Sequence, residues 1–247
     1  MSITAPVQRT SVRCTQKKSP ALLAIDADDT LWDCQSHFNA VEDRYFELLK
    51  PYGDRPYLYE EFFQTEKANM SSLGFGSKAF TISMIENALR VSGGSISSSK
   101  IAEIISLGKT LLDMPTTPLP HVEETLKLIH NTNEKPYKMV VFTKGELLEQ
   151  ESKLKRSGLL PYFDDIMIVS DKDDNAYQRL FSQYGASAES TIVIGNSFKS
   201  DIAPAICQGA RAIYIPYHIT WRMEHAQEFE HERITKLSNF KEIPFYI

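Results

Sequence analysis

Five short apolar runs constrain what this chain can fold into: residues 21–25, 139–142, 166–169, 191–194 and 212–215. Each holds only four or five residues. Most are rich in Val, Ile or Leu, the pattern of strands buried on both faces. Helical patterns lie between them. Residues 122–130 place Val122, Leu126 and Ile129 on one stripe, and 146–156 follow Gly145. Residues 175–184 align Tyr177, Leu180, Phe181 and Tyr184, and 201–208 run from Ser200, an N-cap by residue type, to Gly209. Strands alternating with helices imply an α/β fold, a parallel sheet with helices on both faces.

One stretch breaks the rhythm. Residues 33–114 hold no convincing strand and read as helices near 36–50, 57–70, 77–91 and 98–112. Pro51-Tyr-Gly53, Gly74-Phe-Gly76 and Gly93-Gly94 punctuate them. A segment this long with its own helices is an inserted all-helical domain rather than a loop. The core is then 21–32 together with 115–247. The first 20 residues carry Arg9, Arg13, Lys17 and Lys18 and no acid. They lack the apolar centre of a secretory signal and read as a disordered extension, with an organelle transit peptide as the second reading.

Bulk properties exclude several classes. The formal net charge is −5, and −9 once the four N-terminal cations are set aside, which disfavours nucleic acid as a partner. No apolar run approaches the roughly 20 residues of a membrane helix. Cys14, Cys34 and Cys207 form neither a CxxC motif nor an even set, which points to a reducing, cytoplasmic setting.

In open parallel sheets, ligands bind beyond the carboxyl ends of the strands. The first run ends in Asp26 and Asp28, the second in Thr143-Lys144-Gly145, and the third in Ser170-Asp171-Lys172-Asp173-Asp174. The fourth ends in Gly195-Asn196-Ser197, followed by Ser200-Asp201. Two carboxylates two residues apart repel each other unless a cation or a reacting group compensates them. The whole set suits a hard cation beside a phosphoryl group. A carboxylate can attack phosphorus, a lysine can neutralise the moving group, and a threonine hydroxyl can hold its oxygens. Positions i and i+2 of an extended chain point the same way, so Asp26 and Asp28 read as attacker and proton donor.

Asp26-Ala-Asp28-Asp29-Thr30-Leu31 resembles the first motif of the haloacid dehalogenase superfamily, usually Asp-x-Asp-Gly-Thr. Thr143 with Lys144-Gly145 resembles the second motif, Lys172 the third, and Gly195-Asn196-Ser197-x-x-Ser200-Asp201 the fourth. The motifs keep the family's order, and the resemblance covers about residues 21–220. It implies a Rossmann-like core with sequence strands ordered 5-4-1-2-3 and a helical cap inserted after the first strand. It implies a Mg2+-dependent phosphatase acting on a small phosphorylated substrate, as a monomer or homodimer. Asp26 would be the nucleophile and Asp28 the general acid and then base. Thr143 and Lys172 would bind the phosphoryl group, with Lys144 and Gly145 beside them at the substrate. The Asp26 carboxylate, the Asp28 carbonyl and Asp201 would hold the metal, with Asn196 in the ligand position usually occupied by an acid. Asp29 stands where the family usually has Gly.

Rival readings within the family are a nucleoside monophosphatase and a phosphomutase. From another class comes a receiver-type signalling module, but its Asp, Thr and Lys follow other strands. Asp171, Asp173 and Asp174 read as a solvated loop and helix start, His218, His225 and His231 as surface residues, and Gly74–Lys78 as a turn between helices.

Overall fold

The computed structural model describes residues 20–132 and 136–247. The extension expected over residues 1–20 therefore lies outside the described residues except for Pro20. Six strands form one sheet: β1 (Leu22–Ile25), β2 (Lys138–Lys144), β3 (Asp165–Val169), β4 (Thr191–Gly195), β5 (Arg211–Tyr214) and β6 (Ile234–Lys236). Their order is β3-β2-β1-β4-β5-β6, with every pairing parallel. The first five strands take the expected 5-4-1-2-3 arrangement, and β6 extends it at the β5 edge. An edge strand of three residues with only Ile234 apolar carries too little pattern to be read from sequence.

Helices α1 (Gln35–Leu49), α2 (Arg55–Leu73), α3 (Ser77–Val91) and α4 (Ser98–Leu112) fill the segment between β1 and β2. Then come α5 (Val122–His130), α6 (Leu147–Ser157), α7 (Asp174–Tyr184) and α8 (Ala203–Cys207). The starts follow local chemistry. The side chains of Asp54, Ser97 and Asp173 accept backbone N–H bonds at the N-termini of α2, α4 and α7. The cap expected at Ser200 sits three residues earlier. Ser197 Oγ accepts the Ser200 N–H at 3.0 Å, and a wide turn, Phe198–Ile202, precedes α8.

Alternation along the strands sorts side chains to the two faces of the sheet. Leu23, Ile25, Met139 and Val141 pack with Val122, Leu126 and Ile129 of α5 and Leu154 of α6. Leu22, Ala24, Val140 and Phe142 pack with Tyr177, Leu180 and Phe181 of α7. The helices α1–α4 bury a separate cluster, including Tyr45, Phe46, Phe62, Phe80, Met84, Ile104 and Leu111. That cluster anchors the insert on itself, so the insert meets the sheet at the strand ends rather than merging with either face.

Candidate active site

A cleft opens between the carboxyl ends of β1, β2 and β4 and the helices α1–α3. Asp26, Asp28, Thr143, Lys144, Gly145, Lys172, Asn196 and Asp201 all line it. The sequence motifs, separated by up to 175 residues, are thus brought to one place.

At its floor, Lys172 Nζ bonds Asp26 Oδ1 at 2.6 Å and Asp201 Oδ1 at 2.5 Å. All three residues are buried. Burial raises Asp26, Lys172 opposes that, and the nearby Asp201 adds to it, leaving Asp26 pushed up to about 7. Burial also opposes the Lys172 charge, but Asp201 and Asp26 outweigh it and hold the ammonium protonated. One positive charge shared by two carboxylates leaves one anion in surplus. Asp201 Oδ2 accepts the Ser197 N–H at 3.0 Å. Gly195 makes room for this approach, because a Cβ there would fall on the Asp201 carboxylate.

Thr30 Oγ1 donates to Asp26 Oδ2 at 2.9 Å and accepts the Asn196 N–H at 3.1 Å. The Asn196 amide satisfies its neighbours when its nitrogen faces inward, 3.3 Å from Asp26 Oδ2, 3.0 Å from Thr30 Oγ1 and 3.2 Å from the Asp28 carbonyl oxygen. The Asp26 and Asp28 oxygens therefore converge on one donor. The Thr143 hydroxyl is buried and makes one long contact, 3.4 Å to Lys144 O.

Asp28 does not hang free beside Asp26. Its carboxylate accepts from Trp32 Nε1 at 2.8 Å, Gln150 Nε2 at 2.8 Å and Lys153 Nζ at 3.0 and 3.1 Å. Burial would raise Asp28, but Lys153, Gln150 and Trp32 together hold it below the usual carboxylate range. Lys153 in turn lies 3.5 Å from Glu149 Oε1. Glu149 accepts from Ser77 N at 2.9 Å and Ser77 Oγ at 2.7 Å, so a core helix caps the start of α3 in the insert.

Asp29 explains its own departure from the motif. Its φ is +60°, the left-handed region where glycine is usual and Asp or Asn is the tolerated exception. Its carboxylate accepts the N–H groups of Cys34 at 2.7 Å and Gln35 at 3.0 Å, at the entry to α1. Burial, opposed by those two bonds, leaves Asp29 raised to about 7.

Lys144 and Gly145 line the cleft but are otherwise engaged. The Lys144 ammonium pairs with Glu224, donates to Ser200 Oγ at 2.7 Å and lies over the Phe75 ring at 4.1 Å. Burial of Glu224 is outweighed first by Lys144 and then by Ser197 and Ser200, which hold it at about 2. The Gly145 N–H donates to Val169 O at 3.0 Å. Gly145 has φ +143°, and a Cβ would press on Gln150 Nε2 at 2.8 Å, so its role here is to admit that side chain.

Lys153, Glu149, Gln150 and Glu224 were invisible to sequence reasoning. On α6 the polar residues Glu149, Gln150 and Lys153 are buried while Leu147 and Leu148 are exposed, the reverse of an amphipathic helix. Asp173 caps α7, and His218, His225 and His231 are exposed. Among the described residues no helix is long and apolar enough to cross a membrane.

A parallel sheet that gathers carboxylates and a buried lysine at its strand ends, beneath helices α1–α3, marks the chain as an α/β protein with a polar cleft. The chain belongs to the haloacid dehalogenase-like hydrolases, whose family profile matches residues 20–209. A glyceraldehyde 3-phosphate phosphatase of Methanothermobacter thermautotrophicus is 23% identical over 207 residues, 79% of this chain and 85% of the relative. The pyrimidine 5'-nucleotidase PynA of Streptococcus pneumoniae is 31% identical over 99 residues, 37% of this chain and 42% of the relative. Among solved structures, a haloacid dehalogenase-like hydrolase from Xanthomonas campestris is 30% identical, covers 94% of this chain and 91% of its own, and superposes with a TM-score of 0.81.

Proposed function

We propose that this chain is a Mg2+-dependent phosphomonoester hydrolase acting on a small phosphorylated metabolite through an aspartyl-phosphate. The observation that carries the reading is Lys172 Nζ bridging Asp26 and Asp201 in the floor of the cleft. The phosphatase among the relatives with long coverage supports it.

Asp26 attacks phosphorus, a P–O bond forms to its carboxylate, and the bond to the leaving oxygen breaks. Lys172 neutralises charge on the transferring group, and the Thr143 hydroxyl holds one of its oxygens. Asp28 gives its proton to the leaving alkoxide. In the second half, Asp28 takes a proton from water, whose oxygen attacks phosphorus and releases Asp26 and inorganic phosphate. The anionic Asp28 held by Lys153 is in the state needed for that second half. An arriving phosphate dianion favours its protonation for the first half.

Among the described residues, no three acidic, His or Cys side chains gather as a metal site. The oxygen set still fits a hard cation. Asp26 Oδ2 and the Asp28 carbonyl already share one donor, the Asn196 amide, and Asp201 lies beside them at the shared lysine. Two carboxylates and a carbonyl, completed by water and substrate oxygens, make an ordinary Mg2+ set. Asn196 joins as a ligand only by turning its Oδ1 inward. When bound, Mg2+ supplies charge neutralisation between the nucleophile and the phosphate dianion. We further propose that α1–α4 act as a cap that excludes water from the first step.

A second reading, nucleoside 5'-monophosphatase, draws on the partial match to PynA. Hydrolysis of a phosphorylated-metabolite panel with and without Mg2+ separates the two. Turnover is expected to require Mg2+ and to vanish in Asp26→Asn; a near-normal rate in that variant overturns the scheme.

A further inference from the structure

Eight carboxylates and three ammonium groups line the cleft. The cations are all committed: Lys172 to Asp26 and Asp201, Lys153 to Asp28 and Glu149, and Lys144 to Glu224. Asp29 is held by two backbone N–H groups. That leaves Glu42 of α1 and Glu66 of α2, both in the part of the cleft formed by the insert. Among the described residues no donor bonds either carboxylate, and no cation pairs with either. Arg55, the cation whose charge reaches Glu42, is itself paired with Asp43. Glu66 is only 7% exposed. Burial and Glu42 both push it up, to about 8, with no cation opposing them. The neighbouring Asn69 amide is also spoken for, donating to Ser83 Oγ at 3.1 Å and Glu86 at 2.8 Å.

An unpartnered, buried carboxylate beside a second one is costly for a cleft that must already receive a dianionic phosphate. The arrangement becomes favourable if the substrate brings a positive charge at its other end. The cleft lining also includes Phe38, Phe80 and Met70, apolar surface suited to a short carbon chain.

We infer that Glu42 and Glu66 form the specificity site for a cationic nitrogen on the leaving group, so that the substrate class is the phosphomonoester of an amino alcohol. This rests on the phosphatase reading and deepens it. The phosphoryl end is held at Lys172 and Thr143, and the ammonium is received by the two glutamates of the insert. A polyol would also find hydrogen-bond partners there, but it would bring no positive charge to stabilise both groups as carboxylates.

The test compares the full-length protein, with Mg2+, on ω-aminoalkyl phosphates of graded chain length and on their ω-hydroxyalkyl isosteres. At the fitting length, kcat/KM for the amine is expected to exceed that for the hydroxyl by about tenfold or more, because a site built for one polar group rejects its isostere strongly. The ratio should collapse toward one in Glu66→Gln and shrink in Glu42→Gln, with KM for the amine carrying the change. Equal rates on both series, a preference for the hydroxyl, or a ratio unmoved by both variants overturns this inference while leaving the phosphatase reading intact. If neither series nor an aryl phosphate is hydrolysed, the phosphatase reading itself fails.

Discussion

At Lys153 a 2%-exposed ammonium sits among Asp28, Glu149 and the Cys34 thiol. Removing the lysine would strand the buried Glu149 carboxylate and leave the partly exposed Asp28 without its cation, which costs far more than the pair contributes as a whole. Lys153→Met should therefore lower unfolding stability by about 3–5 kcal/mol, read from denaturant titration. A loss within the range of an exposed pair, below about 1 kcal/mol, would show that Asp28 and Glu149 are solvated. Glu66 gives a prediction of the opposite kind. Its folded value, about 8, lies above the ordinary 4.5. Across that window the folded chain keeps a proton that the unfolded chain has released. Its contribution is thus fully present below pH 4.5 and is lost as pH rises toward about 8. Glu66→Gln does not titrate, so its melting temperature should gain on the wild type as pH climbs through the window; parallel curves would refute this. Sequence showed Asp26, Asp28, Lys172 and Asp201 because a strand end marks each of them. It hid Lys153, 125 residues from Asp28, because nothing local distinguishes a lysine that reaches inward.

Between elements, α3 and α4 of the insert approach closely at Gly108. Gly108 of α4 faces Thr81 of α3, and a Cβ at position 108 would fall on the Thr81 side chain. Gly108→Ala gains up to about 1 kcal/mol of helix propensity but overpacks the contact by about 1–3 kcal/mol. The net expectation is a lower melting temperature, recovered in part by adding Thr81→Ala, which removes Oγ1 and Cγ2 but leaves Cβ at 2.8 Å; a stabilised single variant would mean the helices separate freely. At this scale the helices were legible. Residues 77–91 and 98–112 fold as read, because their stripes repeat over four turns and glycines or serines bound them. The β6 strand and the wide turn at Phe198–Ile202 were not legible, since one depends on a neighbouring edge and the other on packing of Asp201 against Gly195.

Across the whole molecule, insert and core meet through a few polar and aromatic contacts around the cleft. Glu149 caps Ser77, Arg222 pairs with Glu60 at 2.7 Å and lies over Phe63 at 3.7 Å, and Trp221 meets Phe75 edge-on at 6.0 Å. The loop bearing Trp221 and Arg222 follows β5, so the last part of the chain helps close a site whose motifs end at Asp201. Its contribution could not be read from sequence, because no motif lies there. The lysine bridge at the floor bears on how the fold responds to chelation. Under the proposed function, a chelator should abolish turnover yet move the melting temperature by no more than about 2–4 °C, the equivalent of roughly 1 kcal/mol. Collapse of the fold on chelation would mean that the two bridged acids depend on the ion for their neutralisation.

Lys172 thus gives the polypeptide a resident counterion. Under the proposed Mg2+ dependence, maturation need not wait for metal supply, and shape is separated from readiness. The same bridge would leave the folded chain inactive until the proposed ion binds.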